Sequence, residues 1–233
     1  MADENESAAA PTIPPEPTPR VVDCTAGGDL RRVISVAKEV LDAGRCLVLP
    51  TDTVYGIAAD AFDPAAVQRL LTAKRRGRTM PPPVLIGDEA VLPALAEDIP
   101  DTAHELVARH WPGPLTVICR AQPSLRMDLG ETHGTIAVRV PDLDLTRDVL
   151  RRCGPLAVSS ANISGRPPAI TVEEAVDQLG TDVALYLDGG PTPGPVPSTI
   201  VDFTRDAAGE VLREGVLDLA TLRETLPDIR PAG

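Results

Sequence analysis

Aromatic residues are nearly missing from this chain: one Trp, two Tyr and two Phe among 233 residues, or 2%, against a hydrophobic fraction of 43%. A core without aromatic bulk must be built from Val, Leu, Ile and Ala, which suits an α/β fold with buried aliphatic strands. Cysteine is scarce as well. Cys24, Cys46, Cys119 and Cys153 are far apart with no C-x-x-C, which supports neither a disulfide framework nor a zinc site. Three of them stand in or beside apolar segments and read as buried free thiols. His104, His110 and His133 have no metal-ligand spacing. No apolar run approaches the length of a membrane span and the N-terminus lacks a signal-peptide core, so the cytoplasm is the expected location. There is no G-x-x-x-x-G-K-S/T phosphate loop, no G-x-G-x-x-G, no H-E-x-x-H and no G-x-S-x-G, which removes the commonest nucleotide, metalloprotease and serine-hydrolase machines. Basic charge is short too: 22 Lys and Arg against 34 Asp and Glu, net −12. That balance speaks against a broad nucleic-acid or membrane surface. It leaves room for a local contact with RNA without supporting one.

Proline, by contrast, is abundant. Twenty-five prolines enforce many turns and a stiff loop scaffold. Residues 1–20, rich in Ala, Glu and Pro, cannot bury enough surface to offset their ordering entropy and are expected to be a disordered tail. Residues 21–226 show no internal repeat and no boundary, and read as one domain. Residues 227–233 read as a short C-terminal tail.

The chain turns on Pro50 to Arg78. Cys46 to Leu49 is a short apolar run stopped by Pro50, the pattern of a buried strand. A hydroxyl-rich turn with Thr51, Thr53 and Tyr55 follows and ends at Gly56. Asp63 and Pro64 then fit the N-cap and first position of a helix. Val67, Leu70, Leu71 and Lys74 share one face of that helix, which places a lysine on the core side of its last turn. Five basic residues and no acid lie between Arg69 and Arg78. A compact positive spot in an acidic chain suits a small polyanion such as a nucleotide triphosphate. A solvated helix end whose cations complement the C-terminal dipole fits the same spacing.

Further along, Thr135 to Val140 alternates. Ile136, Val138 and Val140 fall on one face; Thr135, Ala137 and Arg139 fall on the other, a lining for an anion or an edge strand with an exposed arginine. Leu156 to Val158 reads as a strand running into Ser159-Ser160-Ala161-Asn162, and ligands collect at such strand exits in open α/β sheets. Serine and asparagine also favour ordinary turns. Trp111, beside the breaker Pro112-Gly113-Pro114, reads as a packing anchor. What remains for chemistry is a set of cations, Lys74, Arg76, Arg139 and Arg213, with Thr53, Ser160, Asn162 and Ser198 as hydrogen-bonders. Such a set positions ligands and neutralises charge rather than forming covalent intermediates.

Six motifs appear in order: P-T-D-T-V-Y-G (Pro50 to Gly56), K-x-R (Lys74, Arg76), W-P-G-P-L-T (Trp111 to Thr116), A-V-R-V-P (Ala137 to Pro141), S-A-N-x-S-G-x-P (Ser160 to Pro167) and S-T-I-V-D (Ser198 to Asp202). Together they resemble the YrdC-type threonylcarbamoyl-AMP synthase family over about residues 30 to 215. The resemblance implies a single-domain α/β fold, a twisted mixed sheet with flanking helices enclosing a positively charged cavity. It implies condensation of L-threonine, bicarbonate or CO2, and ATP to threonylcarbamoyl-AMP with release of pyrophosphate, for threonylcarbamoyladenosine in tRNA. Mg2+ is implied with the triphosphate, and tRNA-modification proteins as downstream partners. Carried over residue by residue, Lys74, Arg76, Ser160 and Asn162 resemble the catalytic phosphate-binding set. Thr135 and Arg213 resemble further ATP contacts, and Thr53, Arg139 and Ser198 a threonine site. The chain departs from the family pattern at Met80-Pro81-Pro82, at Pro197 before Ser198, and at Glu214 after Arg213. It looks like the short form, in which any cover for the site comes from elsewhere than a second domain. A non-catalytic RNA-binding or ribosome-associated regulator is the alternative reading.

Overall fold

The computed structural model describes residues 19–25 and 29–231. The tail expected over residues 1–20 lies outside them as far as residue 18. Strands are β1 (Val21–Asp23), β2 (Leu47–Leu49), β3 (Gly56–Asp60), β4 (Val84–Leu85), β5 (Ala96–Glu97), β6 (Leu115–Ala121), β7 (Thr135–Arg139), β8 (Leu156–Ser160), β9 (Leu185–Asp188), β10 (Thr199–Asp202) and β11 (Glu210–Arg213). Helices are α1 (Leu30–Asp42), α2 (Pro64–Ala73), α3 (Leu92–Leu95), α4 (Asp101–His110), α5 (Asp144–Cys153), α6 (Val172–Leu179) and α7 (Leu219–Thr225).

The strands form one sheet in the order β1-β9-β2-β3-β8-β4-β7-β6-β10-β11, with β5 added on β6. It is mixed: β9 is parallel to β1 and β2, β7 to β4, and β10 to β6, while the β2–β3, β3–β8, β8–β4, β7–β6 and β10–β11 pairs are antiparallel. Helices flank it unequally. On one face α2, α4, α6 and α7 cover an apolar cluster that takes in Val48, Ile57, Val84, Val138, Val117 and Val201. On the other, α1 and α5 cover a smaller cluster on β9, β2, β3, β8 and β4: Leu185, Leu187, Leu47, Leu49, Ala58, Leu156, Val158 and Leu85. Past β4, the residues of β7, β6 and β10 that continue this second face (Ala137, Ile118, Ile200) belong to neither cluster and are half-buried. The sheet therefore has one face closed along its length and the other closed only over half of it.

Local signals account for the helices. Asp29 and Asp63 cap α1 and α2, accepting from Arg31 and Arg32 N–H and from Ala65 N–H. Thr171 caps α6 through Glu174 N–H, but the Glu174 carboxylate reaches back to Ile170 N–H instead of completing a box with Thr171. Two strands, β1 and β3, go beyond the sequence expectation, while β2 falls within the run Cys46 to Leu49. β3 follows directly on the turn that was read as ending at Gly56, and β1 adds an edge strand. The segment expected as a tail from residue 227 packs as far as Arg230: Ile229 is buried in the larger cluster, and Arg230 bridges to Glu210 of β11.

Candidate functional site

The register of four neighbouring strands builds a row across the open half-face. β6 pairs Val117 with Val138, setting Thr116 beside Arg139. β10 pairs Ile200 with Thr116, and β11 pairs Arg213 with Ile200. Partners in register point to the same side. Arg139, Thr116, Ile200 and Arg213 thus line one face across three interstrand steps, roughly 14 Å. Thr135 and Ala137 share that face by alternation.

The side chains form three hydrogen-bonded groups. The first gathers at the end of β8. α2 ends at Ala73 with Lys74 as its cap. Arg75, at φ 52, turns the chain left-handed, with Arg75 N–H on Thr72 O and Arg76 N–H on Leu71 O. This is a Schellman turn with arginine where glycine is usual. It aims Lys74 and Arg76 at the same place. Lys74, 1% exposed, donates through Nζ to the main-chain oxygens of Ser160 and Asn162 and, at 3.4 Å, to Asn162 Oδ1. Arg76 Nη1 donates to Ser159 Oγ at 3.0 Å, and its Nε is buried without a partner among the described residues. Asn162 Nδ2 closes its own loop on Ile163 O and Arg166 O, and the Ser160 hydroxyl makes no hydrogen bond among the described residues.

The second group surrounds Arg139 at the end of β7. Its Nε donates to Gly113 O, Nη1 to Thr53 Oγ1 and Nη2 to Asp52 Oδ1 at 2.6 Å. The loop from Pro50 to Val54 is held over the sheet by Thr51, whose hydroxyl bonds Val54 O and the Thr53 and Val54 N–H groups. Thr146 of α5 donates to Pro50 O as well. In the third group Arg213 Nε and Nη2 donate to Ser198 O, Nη2 also reaches Ser198 Oγ, and that hydroxyl lies 2.9 Å from Thr116 Oγ1.

The electrostatics tie the groups together. Burial, aided by the neighbouring Arg76 charge, pulls the Lys74 ammonium down to about 7. Burial lowers the Arg76 guanidinium. It lowers Arg139 too, against the opposing pull of Asp52. Arg213 is lowered by desolvation, then by the charges of Arg139 and Arg76, so its guanidinium lies within electrostatic reach of both other groups. Among the described residues only Arg139 of these four cations has a carboxylate partner. A buried cation resting on neutral carbonyl oxygens is poised for an anion.

Eight of the nine residues singled out in the sequence fall into these groups. Thr135 does not: it shares the face, but its hydroxyl donates to Thr132 O and joins no other candidate. Three polar neighbours, Asp52, Thr116 and Ser159, were missed. Asp52 and Thr116 lie inside motifs quoted above; Asp52 and Ser159 each stand beside a residue already chosen, whereas Thr116 has no chosen neighbour in the sequence. No three His, Cys, Asp or Glu side chains gather as a metal cage among the described residues, and the four cysteines are free. No described helix is long and apolar enough to cross a membrane.

A family model, Sua5/YciO/YrdC, described as telomere recombination, matches residues 39–215. A Mycobacterium tuberculosis protein provisionally named a threonylcarbamoyl-AMP synthase is 47% identical over 204 residues, 88% of this chain and 94% of its own. The threonylcarbamoyl-AMP synthase of Bacillus subtilis is 36% identical over 74% of this chain and 51% of its own. Among solved structures, Pyrococcus abyssi Sua5 complexed with L-threonine superposes with a TM-score of 0.84 at 30% identity, covering 91% of this chain and 62% of that one. Escherichia coli YciO matches with a TM-score of 0.76 at 25% identity, covering 87% and 98%.

Proposed function

The chain belongs to the Sua5/YciO/YrdC family, and from that premise we propose that it is a threonylcarbamoyl-AMP synthase, condensing L-threonine, bicarbonate or CO2, and ATP to threonylcarbamoyl-AMP and pyrophosphate. The open half-face is then the floor of a positively charged cavity. Lys74 and Arg76, with Ser160 and Asn162 at the end of β8, hold the triphosphate. Arg213 lends a further charge to the nucleotide and Thr135 a contact at the far end of β7. Thr53, Arg139 and Ser198 form the amino-acid subsite.

The chemistry asks for this division. Threonine and bicarbonate give a carbamate anion, whose oxygen must attack the α-phosphorus of a polyanion and expel pyrophosphate. Two negative reactants repel. Fixed cations and donors in a site of low dielectric screen them and hold them in line without reorganising. Mg2+ would enter with the triphosphate as its counterion; among the described residues no three His, Cys, Asp or Glu side chains gather as a cage for it. The product serves the threonylcarbamoyladenosine modification of tRNA in the cytoplasm, and the proteins of that later step are the expected partners.

The observation that carries this reading is Lys74: fully buried, without a carboxylate partner among the described residues, and two residues before a second inward cation, Arg76. Incubation with labelled threonine, bicarbonate and ATP should yield a threonine-containing adenylate and equimolar pyrophosphate. ATP hydrolysis without threonine incorporation, or no turnover, would refute it.

A further inference from the structure

Arg139 differs from the other three cations of the site in having an acid beside it. Its side chain is 6% exposed and that of Asp52 is 12%, so the pair is largely out of water. It is also incomplete on both sides. Arg139 uses one N–H of each terminal nitrogen and its Nε–H, leaving two N–H groups without a partner among the described residues. Asp52 Oδ2 is buried and accepts nothing among the described residues. A buried carboxylate oxygen left unpaired is costly, and ion pairs removed from water are stabilising only when their remaining lone pairs and protons are satisfied. Such a defect at a ligand site points to the groups that would complete it: one more acceptor for the guanidinium, one more donor for the carboxylate.

We propose that Asp52 is a specificity residue that makes the Arg139 subsite select a zwitterionic α-amino acid, the substrate carboxylate taking the free N–H groups of Arg139 and the substrate ammonium taking Asp52. This rests on the synthase reading and deepens it. Asp52 Oδ1 keeps its place on Nη2 while the incoming carboxylate fills the two free N–H groups and Asp52 Oδ2 turns to the ammonium, so that both unpaired sides of the pair are satisfied at once. The charge sorting across the half-face follows. The Lys74, Arg76 and Arg213 groups have no acid in contact among the described residues and take the polyanion. The Arg139 subsite carries no net charge, so a simple anion meets the repulsion of Asp52 and gains little there. One face thereby keeps ATP and amino acid in their own places although both carry negative groups.

The test uses calorimetric titration of the full chain with a non-hydrolysable ATP analogue already bound, so that the phosphate group is filled. L-Threonine should bind, while 2,3-dihydroxybutyrate, with a hydroxyl in place of the ammonium, and threoninol, without the carboxylate, should each bind at least roughly tenfold more weakly. In Asp52→Asn, threonine should lose roughly tenfold and its preference over 2,3-dihydroxybutyrate should largely vanish. Equal binding of threonine and 2,3-dihydroxybutyrate to the unmodified protein would overturn the proposal, whatever the stability of the variant. So would an Asp52→Asn protein that keeps the full preference. If threonine itself does not bind, the synthase reading fails and the proposal falls with it; threonine binding without the preference defeats the proposal alone.

Discussion

Lys74 shows how much a single side chain can reveal. Its place in the sequence, seven residues after Val67 on the apolar stripe of α2, already set it inward. The structure adds what it meets there: carbonyl oxygens and a neighbouring guanidinium, with no carboxylate among the described residues. Removing it or Arg76 should therefore cost transition-state stabilisation. Lys74→Ala and Arg76→Ala are each expected to lose about 2–4 kcal/mol in kcat/KM, read from pyrophosphate release with threonine and bicarbonate. A pH effect follows as well. With the folded pKa depressed to about 7, Lys74 is mostly neutral at pH 8 in the free protein. The triphosphate favours the charged form, so ATP binding takes up a proton above about pH 7 and weakens as pH rises. Titrations in buffers of different ionisation enthalpy should show this uptake, and Lys74→Met should lack it. Asp52 was illegible for the opposite reason. An acid in a turn is ordinary, and only the fold brings it to an arginine 87 residues away.

At the scale of elements, the turn after α2 is the decisive piece. Arg75 adopts φ 52, where a Cβ costs roughly 1–2 kcal/mol, part of which glycine gives back through a more flexible unfolded chain. Arg75→Gly should stabilise the protein by about 0.5–1 kcal/mol, raising Tm by roughly 1–4 °C, with unchanged Kd for ATP. A lowered Tm would mean that the Arg75 side chain does something the backbone argument omits. Helices were the legible elements, because Asp29, Asp63 and Thr171 announce their starts and apolar spacing their inner faces. Strands were less so. β3 reads G-I-A-A-D, with small residues and no alternation, because it is buried on both faces between β2 and β8; a strand of that kind has no period to detect. β1 and β5 have three and two residues, too few for any pattern. The row from Arg139 to Arg213 was beyond reach, since it depends on the register of four strands drawn from distant parts of the chain.

For the whole molecule the governing feature is a sheet closed on one face and half-closed on the other. α1 and α5 cover the second face as far as β4; the uncovered remainder holds Arg139 and Arg213, and Lys74 and Arg76 reach its border at the end of β8 from the tip of α2. Nothing in the composition foretold which half would stay open. The composition does limit what comes to it. With net charge −12, only a small anion that reaches the cationic spot gains from it, whereas an extended polyanion meets an acidic surface. Filter binding at about 150 mM salt, near the screening regime of the cell, should retain no unmodified tRNA at concentrations where ATP saturates; retention of tRNA would favour the RNA-binding alternative.

The central claim is that Lys74, Arg76, Arg139 and Arg213, drawn from one helix end and two strands, serve a single ligand site on that uncovered half-face. A crystal structure of the protein with a non-hydrolysable ATP analogue and L-threonine tests it most directly. The expected density has phosphate oxygens within hydrogen-bond distance of Lys74 and Arg76 and the amino acid against Arg139 and Ser198. Density for either ligand elsewhere on the protein, with the half-face holding only water, would contradict it.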